Sequence, residues 1–282
     1  MEYGNGFEWL DFFIRGEGTL KKFEWGERRK ETIVFLHGLG STGLSVGEMA
    51  AKLPEYHIVS FHLPGHGGTT PKTSEEEYYP SQLVDEIDTY IEQEAFYIAG
   101  HSWGAHLGCY YAAAYPEKVK GLILLDGGYL PIEKEGLDDE LRMVESFYEN
   151  IRFENEHEFL TAEKEELGRW SNDLQKASLA QVKEVDGKIR LAVSLFTAQS
   201  VIKGMVEEPV GKVLPNINCP VLLLRGTLPE DMEETRRSAA EQMGESVKHL
   251  DIIGVQEAGH DLYRDKPGRV SMEWKRWLQS SF

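Results

Sequence analysis

The strongest constraint on this chain is a rhythm of short apolar runs separated by segments with helical spacing. Ile33-Val34-Phe35-Leu36, Tyr56 to Phe61, Phe96-Tyr97-Ile98-Ala99, Leu122-Ile123-Leu124-Leu125, Val221-Leu222-Leu223-Leu224 and His249 to Ile253 are the runs. Most lack polar alternation, so a strand built from one is buried on both faces. After Pro80, the residues Leu83, Val84, Ile87, Tyr90 and Ile91 recur at helical spacing; Trp103 to Tyr115 is an alanine-rich helix, and Met272 to Leu278 a closing one. Strand–helix–strand units of this kind build a parallel sheet covered by helices on both sides. Ahead of them, Phe12-Phe13-Ile14 and Thr19 to Trp25 read as antiparallel edge strands.

The rhythm breaks between residues 130 and 210. No convincing strand is legible there; Leu137, Leu141, Val144, Tyr148 and Ile151 mark one helical face, and further helical patterns run around Phe159 to Trp170 and Ala192 to Val206. The expected organisation is a core of residues 1–129 and 211–282 with a helical cap at 130–210, because an insertion between two strand ends is placed to cover a site.

Composition removes several function classes. Thirty Lys and Arg against 48 Asp and Glu leave a formal net charge of −18. Such a surface repels phosphate backbones and anionic headgroups, so neither nucleic acid nor membrane is an expected partner. There is no run of about 18 apolar residues, and the first six residues lack a basic and apolar leader pattern. Two cysteines in apolar contexts, Cys109 and Cys219, fit a reducing cytoplasm better than a disulfide scaffold. The expectation is a cytoplasmic protein acting on a small molecule; no oligomeric partner is read from the sequence.

The chemistry concentrates at Gly100-His101-Ser102-Trp103-Gly104, between a predicted strand and a predicted helix. A serine on that tight turn is pushed out above the sheet at a helix amino end, where the helix dipole favours developing negative charge. His37-Gly38-Leu39-Gly40 closes an earlier strand beside it. The backbone N–H groups of Leu39 and Trp103 are the natural donors to a tetrahedral oxyanion, with His37 holding the loop. Ala258-Gly259-His260-Asp261 follows the last predicted strand and supplies the base, His260. The remaining histidines have weaker claims, and His101 is expected to point away from the site. His62 and His66 are four apart, but Pro64 and Gly65 between them exclude the helix that would align both on a metal.

The loop HGLG, the turn LPGHG, the elbow GHSWG and the late GHD occur in the order and spacing of the α/β-hydrolase superfamily, which this chain resembles over nearly its whole length. The resemblance implies an eight-stranded, mostly parallel sheet with helices on both faces, a Ser–acid–His triad, and no cofactor or metal. Serine rather than aspartate at 102 argues against haloalkane dehalogenase or epoxide hydrolase chemistry. One position departs from the pattern. The superfamily's acid stands three residues beyond a glycine after the strand that follows the cap, and here that residue is Pro229, in Arg225-Gly226-Thr227-Leu228-Pro229-Glu230-Asp231. Proline cannot orient a histidine. The acid is then Asp126, at the end of Leu124-Leu125-Asp126-Gly127-Gly128, or Glu230, or Asp231; strand-end position puts Asp126 first and Glu230 second.

These residues point to a serine hydrolase working through an acyl-enzyme, with a carboxylic ester as substrate. Cap residues such as Trp170 and Phe196 suggest a partly apolar acyl or alcohol group. Two alternatives stand beside it: a carbon–carbon bond hydrolase using the same groups, and a slow or non-catalytic small-molecule receptor, which the displaced acid keeps open.

Overall fold

A computed structural model describes residues 19–132 and 134–280. The chain runs through β1 (Lys21–Trp25), β2 (Thr32–Leu36), α1 (Gly47–Lys52), β3 (His57–His62), α2 (Pro80–Asp88), β4 (Phe96–His101), α3 (Trp103–Ala114) and β5 (Val119–Leu125). It then enters α4 (Leu137–Asn150), α5 (Glu156–Leu167), α6 (Asn172–Leu179), β6 (Val182–Val185), β7 (Lys188–Leu191) and α7 (Leu195–Glu207). β8 (Val221–Gly226), α8 (Glu233–Ser246), β9 (Leu250–Val255), α9 (Leu262–Asp265) and α10 (Pro267–Ser280) close the fold. Tyr90 and Ile91, read from the sequence as helical, lie beyond the end of α2.

Among the described residues the main sheet has seven strands, in the order β1-β3-β2-β4-β5-β8-β9, rather than the expected eight. The other strand read from the sequence, Phe12-Phe13-Ile14, lies outside the described residues. β1 pairs antiparallel with β3, and every other pairing is parallel.

Burial explains why the strand sequences are continuous apolar runs. Val34, Leu36, Ile98, Leu122, Leu124 and Leu223 pack into one core, with α2 and α3. Their neighbours Ile33, Phe35, Tyr97, Ile123, Leu125 and Leu222 point the other way, into a second core with α1 and α10. Period-two alternation thus fills two cores at once.

The order also fixes where a site can form. From β2 the chain steps outward to β3, and from β4 it steps the opposite way to β5. The connections therefore diverge above the carboxyl ends of β2 and β4 and leave a crevice there. Those two ends carry the loop starting at His37 and the turn holding Ser102.

The segment between β5 and β8 is not wholly helical, which corrects the sequence reading. β6 and β7 form an antiparallel hairpin, with Val182 opposite Leu191 and Val185 opposite Lys188. Its turn is Asp186-Gly187, at φ 53° and 71°. An Asp-Gly pair at positive φ matches the two-residue turn that suits strand twist. The hairpin escapes a search for apolar runs because its four-residue strands carry Lys183, Glu184, Lys188 and Arg190.

Polar bridges tie this segment to the core. Arg169 makes a forked pair with Glu48 at 2.7 and 2.8 Å and donates to the Arg264 carbonyl at 2.7 Å. Farther along, the Ser81 hydroxyl and N–H donate to Glu208 at 2.7 and 2.8 Å. Forked, charge-assisted bonds are the strong kind. Arg169→Ala is expected to cost about 2 kcal/mol and lower Tm by a few degrees. It is also expected to speed proteolytic cutting between residues 150 and 190 several-fold at temperatures where the core stays folded; unchanged Tm and cutting would show that the bridge contributes nothing.

Candidate active site

Ser102 sits at φ 53°, ψ −117°, a conformation that costs a non-glycine residue free energy. The turn persists because its surroundings leave no alternative. A Cβ on Gly104 would stand 2.0 Å from the Leu36 carbonyl oxygen, and one on Gly100 2.2 Å from the Gly104 carbonyl oxygen. Helix α3 therefore presses directly against the end of β2. The Ser102 N–H donates to the Leu125 carbonyl at 3.1 Å, which pins the turn to the end of β5.

The neighbouring loop is a tight turn in which the Ser41 N–H donates to the Gly38 carbonyl at 3.1 Å, with Gly40 at φ 78° in its third position. Two buried histidines hold it. His37 donates from Nδ1 to the Gly38 carbonyl at 2.8 Å and accepts the Leu63 N–H at Nε2, 3.1 Å away. His66 donates from Nδ1 to the Pro64 carbonyl and accepts the Gly40 N–H at Nε2, at 3.2 Å. An imidazole nitrogen accepts only when unprotonated, and burial keeps both rings neutral: His37 falls well below its ordinary pKa and His66 to about 4. The N–H groups of Leu39 and Trp103 have no protein acceptor among the described residues. The His66 ring stacks on the Trp103 indole at 5.4 Å.

His260 lies on the loop between β9 and α9, its side chain about half exposed. Its Nδ1–H donates to Asp126 Oδ2 at 2.8 Å. Asp126 is fully buried, at φ 41° just past β5. Its Oδ1 accepts the Tyr129 hydroxyl at 2.8 Å and the Gly226 N–H at 3.1 Å, and Arg236 Nη2 stands 3.3 Å from Oδ2. Burial alone would raise the Asp126 pKa; these donors, His260 first among them, outweigh it and hold the carboxyl below its ordinary value. Burial likewise pulls His260 down, but the hydrogen bond and charge of Asp126 outweigh it and raise the imidazole above 6.5. A Cβ on Gly127 would stand 2.4 to 2.7 Å from the Ser102 backbone, so glycine after the aspartate lets the β5 end pass beneath the serine.

Glu230 and Asp231 lie exposed on the turn before α8, and neither bonds to His260 among the described residues. His101 differs from its expectation. Instead of pointing away, its ring lies 4.8 Å from the His260 ring and its Nε2–H donates to the His260 carbonyl at 3.0 Å, bracing the loop from below.

A profile of the alpha/beta hydrolase fold matches residues 31–228, most of the chain. The chain belongs to this family. Among its relatives is an (E)-2-((N-methylformamido)methylene)succinate hydrolase of Acinetobacter baylyi, 23% identical over 93% of this chain and 95% of that protein. The abhydrolase domain-containing protein abhd-5.2 of Caenorhabditis elegans is 26% identical over 84% of this chain but only 56% of its own length. Among solved structures, an E-2-(acetamidomethylene)succinate hydrolase superposes with a TM-score of 0.75 at 19% identity, covering 93% of this chain and 95% of that one. An esterase from Thermogutta terrifontis superposes at 0.67 and 18%, covering 93% of each.

Sequence reasoning about this α/β-hydrolase passed over the residues that hold the others. Tyr129 and Arg236 bond the buried aspartate, and His62 accepts the Gly43 N–H at 3.0 Å just beyond the Gly38–Ser41 turn. Its place three residues after Asp126 is a signal that could have found Tyr129; no local signal points to Arg236. Because the Gly104 contact is with backbone, it cannot be relieved by a side-chain shift. Gly104→Ala is expected to destabilise the fold by about 3 kcal/mol or more, read as loss of soluble protein or of Tm; a normal Tm would contradict the packing described for this turn.

Proposed function

We propose that this protein hydrolyses a small, partly apolar carboxylic ester through an acyl-enzyme on Ser102. His260 is the base, Asp126 its orienting acid, and the N–H groups of Leu39 and Trp103 are the oxyanion donors. The observation that carries the reading is the 2.8 Å bond from His260 Nδ1–H to the buried Asp126 carboxylate. With its proton committed to Asp126, the ring's other nitrogen, Nε2, is left as the proton acceptor. The Asp126 bond supports the catalytic reading over a receptor, whose case drew on Pro229 standing where an acid is expected.

In the proposed reaction His260 Nε2 takes the Ser102 hydroxyl proton as the oxygen attacks the ester carbonyl. Negative charge moves to the carbonyl oxygen, where the two N–H groups and the α3 amino end stabilise it. Collapse expels the alcohol, which receives the proton from the imidazolium. Water then repeats the sequence on the acyl-enzyme, yielding the carboxylic acid and free Ser102. Asp126 keeps the imidazole in the required tautomer throughout and stabilises its charged form.

Residues 130–210 serve as the cap in this reading. A cavity of about 360 Å³ lies between the turn after β3 and the β6–β7 hairpin, lined among others by Gly67, Thr69, Lys183 and Thr197. Neither Ser102 nor His260 lines it, so it is not the space in which the ester carbonyl would sit. A cytoplasmic location fits the two free thiols of Cys109 and Cys219, and among the described residues no helix is long and apolar enough to cross a membrane.

Nitrophenyl esters of graded chain length, with a fluorophosphonate probe for Ser102, test the reaction. Ser102→Ala is expected to abolish turnover and labelling; retained turnover rejects the mechanism. Asp126→Asn is expected to lower kcat about 10⁴-fold while Glu230→Gln stays near wild type, and the reverse order would reassign the acid. Ester turnover that is negligible beside cleavage of an amide or carbon–carbon substrate would replace the ester reading.

The pH profile carries a sign. Only neutral His260 accepts a proton, and its pKa is raised, so kcat/KM is expected to fall as pH drops through a midpoint above 6.5. Asp126→Asn removes the raising interaction and is expected to move that acid limb to lower pH. A limb that stays in place would separate His260 from the acid-side titration.

A further inference from the structure

Beneath the Asp126–His260 pair lies a buried cation that the proposed chemistry does not use. Arg236 projects from the first turns of α8, is only 7% exposed in its side chain, and places Nη2 3.3 Å from Asp126 Oδ2, the same oxygen that accepts from His260. Its Nη1 donates to the Leu228 carbonyl, which ties the guanidinium to the loop after β8. With Tyr129 and Gly226 on Oδ1 and His260 on Oδ2, the carboxylate accepts three hydrogen bonds, and the Arg236 guanidinium adds an ion pair at Oδ2. Its planar fork cannot turn away from the carboxylate without breaking the Leu228 bond.

We infer that Arg236 is a positioning residue: its guanidinium locks the Asp126 carboxylate in register with His260 and offsets part of that carboxylate's charge at the imidazole. The inference rests on the proposed roles of Asp126 and His260. The Asp126 carboxylate pulls the His260 imidazole toward its charged form, and burial alone does not cancel that pull. A fixed positive charge at the same carboxylate oxygen offsets part of that pull while leaving the hydrogen bond that orients the ring. Other charges face the pair as well. Asp261 raises His260, the buried His101 ring lies against it while held neutral at about 4, and Arg225 is engaged with Glu233 at 2.6 Å. Among the groups acting on His260, Arg236 favours the neutral ring.

The test reads the imidazole directly. NMR titration of His260 in the full chain needs no turnover, so it separates this inference from the ester reading, which Ser102 labelling tests on its own. Removing the charge while keeping length, in Arg236→Met, is expected to raise the His260 midpoint by about one pH unit. Arg236→Gln, neutral but able to donate, is expected to do the same, and serves if the methionine variant does not fold. Arg236→Lys, which keeps the charge, is expected to leave the midpoint close to wild type. Where turnover is measurable, the acid limb of kcat/KM follows the same order. A midpoint unchanged in the neutral variant, or shifted equally in the lysine variant, would overturn the inference and leave Arg236 a purely structural ion-pair partner.

Discussion

The site at the carboxyl edge of the sheet depends on one partly buried hydrogen bond, from His260 to the buried Asp126 carboxylate. It joins the end of β5 to a loop 134 residues later, across β8. A buried carboxylate is tolerated only when it is hydrogen-bonded or paired, and here a tyrosine, a backbone amide and a histidine donate to it while an arginine pairs with its charge. That demand explains why residues from β5, β8, α8 and the His260 loop converge on so small a volume. None of them is placed by its own local propensity.

The two cores make this convergence affordable. Apolar side chains on both faces of β2, β4, β5 and β8 hold the strand ends in fixed register, so the loops above can carry strained conformations. Ser102 and Asp126 both sit at positive φ without being glycine, and each is overdetermined by neighbours: the Leu125 carbonyl and the α3 packing for the serine, three donors and an arginine for the aspartate. The histidines below the Gly38–Ser41 turn do similar work. His37, His62 and His66 act as neutral acceptors of backbone N–H groups because burial disfavours their charged form.

Much of this was legible in advance, and the reason differs by element. The strands are visible because two-sided burial demands continuous apolar runs. The elbow is visible because close helix–strand approach demands glycine at 100 and 104. The β6–β7 hairpin was missed because a short, half-exposed strand has no apolar run, although its Asp-Gly turn was there to be read. His101 was misjudged because a residue's neighbours across the sheet are not encoded in its immediate context. Arg236 was invisible for the same reason, being 110 positions from the carboxylate it serves.

By itself, then, the sequence determined the layered α/β architecture, the sharp turn at Ser102 and the loop histidine at 260, since each rests on local demands: periodicity, steric exclusion of a Cβ, and strand-end position. Only the tertiary structure decided which carboxylate meets the imidazole. Asp126, Glu230 and Asp231 are chemically near-equivalent as letters, and what separates them is burial and distance. Those quantities belong to the packed sheet, where one strand end reaches His260 and an exposed turn does not.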